Sequence, residues 1–318
     1  MVVIVTLPEG SGQVGVFLKQ FGHGYARKMS EITYHALACR GSVPSGVIVF
    51  ADRERMTVTQ RNLAERLWVL LSEAGPEVRL LNDPRRQMDR YELLKRLHRD
   101  GINDYDVWKA NELPDVLPFP VFVRLSRDHS GPKSDLISDV DALHAEIARL
   151  VLDGYAPEDV LVVQYLDTRD SKGLYRKYGA YRVGERFIGK HLMVGRQWDL
   201  KAPSRLDDPE SLAEDTEYFY GDPHSELLMP LFDLAGIQFG RIDYTFLDGR
   251  IQVWEINDNP HYLGPDWQDI GEVRKAEPYV AALDALGEGL SQSERISFDV
   301  YDSKFWNALQ PADAGFPC

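Results

Sequence analysis

The chain has 318 residues, 44% of them hydrophobic, and a formal net charge of −14. This composition is typical of a globular protein with room for two or three α/β units, and the acidic balance argues against general binding to nucleic acid or anionic membranes. Cys39 and Cys318 are the only cysteines, which excludes a disulfide framework and a cysteine-based metal site. The N-terminal apolar run is too short for a signal peptide, and no segment approaches the roughly 20 apolar residues that span a bilayer. We therefore expect a cytoplasmic protein.

Residues 1–83 alternate strand and helix patterns. Val2–Thr6 and residues 46–52 are β-branched, apolar runs that predict buried strands. Residues 57–74 carry leucines at helical spacing, and Val78–Leu81 predicts another strand. This alternation indicates a largely parallel sheet, so we predict an N-terminal α/β domain over residues 1–83.

A glycine-rich stretch follows the first predicted strand. Gly10 to Gly15 satisfies G-x-G-x-x-G, which in dinucleotide-binding units lets a pyrophosphate sit on a helix N-terminus. Such a unit has an acid about 20 residues further on, at the end of a second strand. Glu31 has this spacing, but the sequence around it predicts a helix. A surface loop and a nucleotide-binding loop both remain open.

The middle of the chain predicts strands over residues 118–125 and 160–166 and a helix over residues 139–152. His129, in the loop after the first of these strands, is either a turn-forming residue or a candidate phosphate or substrate contact.

Residues 173–201 predict a β-hairpin with a high content of basic residues. It concentrates seven cations in an otherwise acidic chain: Arg176, Lys177, Arg182, Arg186, Lys190, Arg196 and Lys201. Strand alternation places several of them on one face, so the hairpin is either a wall that faces polyphosphate or a solvated surface. Helices are predicted over residues 208–220, 225–235 and 273–290, before an aromatic tail.

The most informative stretch is residues 240–260, GRIDYTFLDGRIQVWEINDNP. It predicts two strands, with Asp243 on the first and Glu255 and Asn257 on the second. Two carboxylates and an amide oxygen are hard ligands that suit Mg²⁺, and the stretch has no Cys or His that would favour zinc. The alternative is an ordinary half-buried hairpin whose acids face solvent.

The loop between these strands decides whether the three side chains meet. A two-residue loop of Asp248 and Gly249 would pair Asp243 with Trp254 and turn Glu255 to the opposite face. A three-residue loop that begins at Leu247, with Gly249 left-handed as a bulge, places Asp243 diagonal to Glu255. We therefore predict the three-residue loop, with an apolar face on the other side: Ile242, Tyr244, Phe246, Trp254 and Ile256.

Residues 240–243 (GRID) and 255–260 (EINDNP) together resemble the metal-binding core of the ATP-grasp superfamily. The similarity is strongest to D-alanine:D-alanine ligases and to RimK-like ligases, and it covers roughly residues 80–262. It implies an α/β and α+β architecture in which two subdomains grip ATP after a parallel α/β domain. We expect these subdomains over residues 84–165 and 166–318.

The resemblance also implies the metal and phosphate ligands. It assigns Mg²⁺, or Mn²⁺, to the predicted trio Asp243, Glu255 and Asn257. Arg90 and Arg124 stand where the family carries two phosphate-binding lysines. Each offers a permanent cation to phosphate.

Further contacts follow from position along the chain. The strand that ends at residue 166 leads into the nucleotide hinge of the family, so the contacts implied for adenine are Gln164, Tyr165 and Leu166. Lys201, in the basic hairpin, is a further candidate nucleotide ligand. Arg241, two residues before Asp243, is the candidate for stabilising an acyl phosphate or a tetrahedral oxyanion. Related sequences favour an arginine where this chain has Gly179, and Arg182 or Arg176 is the candidate substitute.

The activity that the resemblance implies is an ATP- and Mg²⁺-dependent carboxylate–amine ligase. Such an enzyme activates a carboxylate as an acyl phosphate, which an amine attacks with release of ADP and phosphate. The alternatives are a small-molecule kinase on the same fold and a non-catalytic nucleotide-binding protein. The expected partners are small-molecule or peptide carboxylates and amines, with a homodimer as a further candidate assembly, and neither nucleic acid nor membrane.

Overall fold

The structure is a computed structural model that describes residues 1–21, 28–128, 130–260, 270–290 and 295–298, with the side chains of residues 20, 21 and 270–276 left out. His129 and the predicted aromatic tail beyond residue 298 lie outside the described residues.

The helices are α1 (Gln13–Phe21), α2 (Tyr34–Arg40), α3 (Val58–Ser72), α4 (Arg90–Arg99), α5 (Val140–Leu152), α6 (Pro209–Tyr220), α7 (Ser225–Ala235) and α8 (Ile270–Leu286). The strands are β1 (Val2–Thr6), β2 (Met29–Thr33), β3 (Ser42–Pro44), β4 (Gly46–Phe50), β5 (Val78–Leu81), β6 (Val107–Lys109), β7 (Val121–Leu125), β8 (Val160–Gln164), β9 (Tyr175–Val183), β10 (Arg186–Gly195), β11 (Phe239–Leu247), β12 (Arg250–Asn257) and β13 (Arg295–Ser297). No helix in this part of the chain has both the length and the apolar character needed to cross a membrane.

The N-terminal sheet is parallel, with the strand order β2-β1-β4-β5. Alternate residues of β1 enter two separate cores: Val2 and Ile4 pack in one, Val3 and Val5 in the other. Helices cover both faces, which is why β1 and β4 are apolar throughout. The predicted parallel α/β arrangement is confirmed.

One local prediction in this region was wrong. The segment around Glu31, predicted as helix, forms strand β2 and only then helix α2, which begins after the N-cap Thr33. Pairing with β1 overrides the helical pattern of the sequence, because a strand beside β1 satisfies backbone groups that a helix there would leave unpaired.

Two antiparallel sheets follow. A three-stranded sheet has the order β6-β8-β7 and packs its apolar face against α5. A four-stranded sheet has the order β10-β9-β11-β12. The fold class, one parallel sheet combined with antiparallel α+β sheets, is therefore as predicted.

The four-stranded sheet has two different faces. Its back face packs against α4 and α7 and carries the predicted apolar set, with Ile242 and Tyr244 fully buried. Its front face carries Asp243 and Glu255 and continues into the core shared with β1 and α8 through Tyr181. The charged residues of the hairpin therefore lie on the face turned toward the rest of the molecule.

Candidate active site

Asp243 and Glu255 are directly opposite each other on β11 and β12. The turn between the strands has two residues, Asp248 at φ 50° and Gly249 at φ 76°, and not the three that we predicted. The extra residue lies within β12 instead: Tyr244 pairs with Val253 and Asp243 with Glu255, so Trp254 forms a β-bulge. The predicted loop was wrong, but the bulge shifts the register in the sense that brings the two acids together.

Asp243 is held by two cations. Its side chain is 2% exposed, and its carboxylate accepts hydrogen bonds from Arg241 Nε at 2.9 Å and lies 2.9 Å from Lys177 Nζ. Burial by itself would raise the pKa of Asp243, but Arg241 and Lys177 more than offset it and hold the pKa below its ordinary value. The acid is therefore ionised at neutral pH.

Glu255 is held from the other side. Arg90 Nη2 and Arg124 Nη2 donate to its Oε2 at 2.9 and 3.0 Å, and Arg241 Nη2 lies 3.9 Å from its Oε1. Arg90 Nε also lies 3.5 Å from Oε1 of the partly buried Glu54. The front face thus carries more cations than are needed to neutralise Asp243 and Glu255.

These groups form one end of a cavity of about 280 Å³ between β7 and the four-stranded sheet. Part of its lining is a set of charged side chains joined by ion pairs, here called the charged end: Arg124, Lys177, Arg241, Asp243 and Glu255. Another part is a largely aromatic set, here called the aromatic end: Phe122, Tyr165, Tyr175 and Trp198, which contact one another, with Leu166 and Leu200. The Phe122 and Trp198 rings lie 4.8 Å apart, and the Tyr165 and Tyr175 hydroxyls are 2.6 Å apart.

Comparison with known proteins finds similarity at the level of structure. D-alanine–D-alanine ligase from Bacillus anthracis, complexed with ATP, matches with a TM-score of 0.50 and 13% identity over 91% of this chain and 97% of that chain. A second crystal structure of that ligase matches with a TM-score of 0.50 and 12% identity over 91% and 96%. The RimK domain ATP-grasp protein from Sphaerobacter thermophilus gives 0.46 and 13% over 91% and 99%. No protein-family model and no curated protein sequence matches the chain.

The chain has the ATP-grasp fold. Identity this low bears on the fold alone, so what the site can do follows from the residues of this chain. Seven of the predicted site residues line the cavity together: Arg124, Tyr165, Leu166, Lys201, Arg241, Asp243 and Glu255. Asn257 is opposite Arg241 in the next row, and its Oδ1 accepts a hydrogen bond from the backbone N–H of Asn259 at 2.9 Å.

Arg90 lies outside the cavity lining and is bonded to Glu255. Its side chain is 2% exposed, and Nη1 donates to the backbone carbonyls of Leu125, Ser126 and Asp128 at 2.9 to 3.2 Å. Because its guanidinium bonds to the chain that leaves β7 and to Glu255, Arg90 fixes the position of Glu255 relative to β7. The direct phosphate contact of Arg90 stays a prediction, and the structure does not place Arg90 among the residues that line the cavity.

Gln164 and Arg182 also lie outside the cavity lining. Gln164 Oε1 accepts from the backbone N–H of Asp106 at 3.2 Å, at the edge of the three-stranded sheet. Arg182 is on the back face, where it donates to the Gly184 and Ile237 carbonyls and pairs with Asp233 at 2.6 Å. Strand alternation separates Arg182 from the odd-numbered front face of β9, so the structure does not bring it together with the predicted residues that line the cavity.

The sequence analysis missed Lys177, Tyr175 and Trp198. Tyr175 and Lys177 share the front face of β9 with Gly179, which a period of two predicts once the register is known. Lys177 was visible only as one of seven basic residues. Trp198 follows β10 in a segment without a motif.

The glycine-rich loop is occupied by the protein's own acid. The Glu31 carboxylate accepts from the backbone N–H groups of Gly12 at 2.6 Å and Val14 at 3.1 Å, at the N-terminus of α1. That end of a helix favours an anion, and Glu31 supplies it from β2. The loop is therefore not open to a pyrophosphate as it stands.

The oxygen donors of Asp243 and Glu255 suit magnesium. The described residues contain no cluster of three or more His, Cys, Asp or Glu side chains placed to hold a metal, as a zinc site would require. Asp243 and Glu255 provide two carboxylates at the charged end of the cavity. Mg²⁺ is commonly bound by one or two carboxylates, with phosphate oxygens and water completing the octahedron. The third ligand, Asn257, stays a prediction.

Proposed function

We propose that the protein is an ATP- and Mg²⁺-dependent ligase that activates a carboxylate as an acyl phosphate and joins it to an amine. The observation that supports this most is the pairing of Asp243 with Glu255 at the charged end of a cavity whose other end is aromatic. We further propose that residues 84–165 and 166–318 are the two units that grip the nucleotide, because the cavity lies between strands of these two stretches.

The charges favour a polyphosphate. Without a ligand, Arg241 and Lys177 are paired with Asp243, and Arg124 is paired with Glu255. A triphosphate offers these cations stronger, more highly charged acceptors, so they exchange carboxylate for phosphate and leave the two acids to the metal. A bound magnesium ion would neutralise phosphate charge while the phosphoryl group moves.

The aromatic end fits a nucleobase. Phe122 and Trp198 provide flat apolar surfaces, and the chain at Tyr165 and Leu166 leaves β8 beside them. The Tyr165 and Tyr175 hydroxyls bond to each other, which keeps Tyr165 in place at the cavity wall. We therefore place the base there and the phosphates toward Asp243.

The reaction then uses the groups on the front face. A carboxylate oxygen of the substrate attacks the terminal phosphorus, and ADP leaves. The amine nitrogen attacks the acyl carbon, the bond from that carbon to the phosphate oxygen breaks, and the amine gives up a proton as phosphate departs. Arg241, which lines the cavity beside Asp243, orients the acyl phosphate and offsets the charge that develops on the acyl oxygen.

The test is calorimetric titration with the non-hydrolysable analogue AMPPNP, with and without Mg²⁺, on the wild type and Glu255→Gln. We expect binding that Mg²⁺ strengthens and that Glu255→Gln weakens by about tenfold or more, the order of one lost charged contact. Glu226→Gln, on the exposed side of α7, is the matched control and should bind as the wild type does. Binding that ignores both Mg²⁺ and Glu255→Gln would overturn the proposal.

Hydroxylamine separates the ligase from a kinase. Incubation of the enzyme with ATP, Mg²⁺ and a panel of carboxylic acids should release ADP and, with hydroxylamine present, give the hydroxamate of the acid that is activated. A phosphorylated product that is stable to hydroxylamine would indicate a kinase on the same fold instead.

A further inference from the structure

The His191 side chain covers Gly179, which lies next to Asp243 in the sheet. A row of paired residues runs across four strands and contains His191 on β10, Gly179 on β9, Asp243 on β11 and Glu255 on β12. Gly179 has no side chain, and a Cβ built on it would lie 2.8 Å from Cε1 and Nε2 of His191 and 3.2 Å from Nδ1. The imidazole therefore lies over Gly179 and reaches toward Asp243.

A bulge in β10 helps to direct this side chain. The pairing of β9 with β10 shifts between Gly189 and His191, which leaves Lys190 as an extra residue. A bulge turns the side chains next to it relative to a regular strand. His191 is thus brought to the front face, on the same side as Asp243.

The Nε2 atom of His191 is available for a further hydrogen bond. Nε2 is shielded from solvent and has no hydrogen-bond partner among the residues that the structure describes. A buried polar atom without a partner costs about 1–3 kcal/mol, so such an atom beside a reaction site indicates a contact made by the ligand. Burial, with Arg241, Lys177 and Lys190 nearby, lowers the pKa of His191, while Asp243 raises it. The neutral ring has one N–H to donate.

The two arginines that the sequence offered for this place are engaged elsewhere. Arg182 is on the back face with Asp233. Arg176 is held by Asp170 and Glu214 at 2.6 and 2.7 Å. His191 is the side chain that occupies the place next to Asp243, on the side away from Glu255.

We propose that His191 Nε2 donates a hydrogen bond to the terminal phosphoryl group of the bound nucleotide and to the same group after its transfer to the carboxylate. The inference rests on the proposed function. The charged end of the cavity is lined by Lys177, Asp243 and Arg241. The same three charges shift the pKa of His191. His191 is not among the residues that line the cavity, so this contact requires that Lys177 and Arg241 turn from Asp243 to phosphate and give Nε2 access to the transferred group.

Two nucleotides that differ by this group test the proposal. Calorimetry with Mg²⁺ compares AMPPNP with ADP on the wild type, His191→Leu and His191→Gln. His191→Leu should weaken AMPPNP by about tenfold, as for one hydrogen bond to a charged group, and leave ADP within about twofold. His191→Gln, whose amide nitrogen reaches a similar place, should recover most of the loss. His144→Leu, an exposed histidine on α5, is the control for removal of an imidazole.

The outcomes separate the two proposals. If the wild type binds AMPPNP and ADP but His191→Leu weakens neither, or weakens both equally, His191 has at most a packing role and the inference fails while the proposed function stands. If the wild type binds neither nucleotide, both fail. Imidazole ¹⁵N spectra of the wild type need no variant: the His191 Nε2 resonance should shift with AMPPNP and not with ADP, and an unshifted resonance would overturn the inference.

Discussion

Asp243 and Glu255 face each other across β11 and β12, although the two-residue turn that joins these strands would in a regular hairpin pair Asp243 with Trp254. The extra residue that corrects the register lies at Trp254, in the middle of β12 and beside the cavity. Bulges are frequent next to active sites, because one added residue re-aims a side chain without changing the turn. Because of the bulge, Asp243 can lie opposite Glu255 in a hairpin whose turn has only two residues.

The turn itself allows a clean prediction about Gly249. The residue has φ +76°, and a Cβ placed on it would meet nothing within 4 Å. Gly249→Ala should therefore lower the free energy of unfolding by about 1 kcal/mol through backbone strain alone, with AMPPNP affinity unchanged. Urea denaturation measures it. Gly15→Ala adds the same methyl in open space within helix α1, where it should be neutral or stabilising; equal losses in both variants would contradict this account.

Gly179 is expected to respond to the same substitution for a different reason. Its added methyl would meet the His191 imidazole at 2.8 Å, so Gly179→Ala should destabilise the protein by about 1–3 kcal/mol through overpacking. In a His191→Ala background the methyl has room, and most of that loss should disappear. A double-mutant cycle by urea denaturation gives the coupling. Additive effects of the two changes would mean that the imidazole does not lie over Gly179.

The arginines show how far the sequence could lead. Arg124 and Arg241 stood next to recognisable motifs, and the structure places both in the cavity lining. Arg182 and Arg90 had equally plausible positions along the chain, yet one lies on the back face and the other behind Glu255. Face and burial depend on strand register and on the packing of α4, and neither is encoded locally. The same limit hid His191, because only the pairing of β9 with β10 brings it over Gly179.

Arg182→Met should therefore lower the stability of the protein, whereas Arg241→Met should weaken nucleotide binding. Arg182→Met leaves the Gly184 and Ile237 carbonyls without their donor, so we expect a loss of about 2–4 kcal/mol in unfolding free energy and unchanged AMPPNP affinity per folded molecule. Arg241→Met removes a cavity cation and should weaken AMPPNP by about tenfold or more. Denaturation and calorimetry on both variants decide the matter. Weakened nucleotide binding in folded Arg182→Met would restore the catalytic position that the sequence suggested.

Arg176 joins two elements through their acids. Its guanidinium binds Glu214 of α6 through two hydrogen bonds, at 2.7 and 2.9 Å, and Asp170 in the loop before β9 at 2.6 Å. Hydrogen bonds from Arg176 are the main cause that lowers the pKa of both acids, that of Asp170 to about 2. A carboxylate whose pKa is lowered by folding stabilises the protein above its unfolded pKa, and this contribution is lost as pH falls toward the folded pKa.

Arg176→Met should accordingly destabilise the protein by about 1 kcal/mol at neutral pH, a modest value because the acids are partly exposed. The difference from the wild type should be constant above about pH 5 and should shrink as pH falls from about 4 toward 2. Urea denaturation across this range measures it. Arg169→Met is the control, because Arg169 pairs with Asp167 within one exposed loop and joins no two elements. A difference between the wild type and Arg176→Met that persists unchanged at pH 2 would show that Arg176 stabilises the fold through packing and not through Asp170 and Glu214.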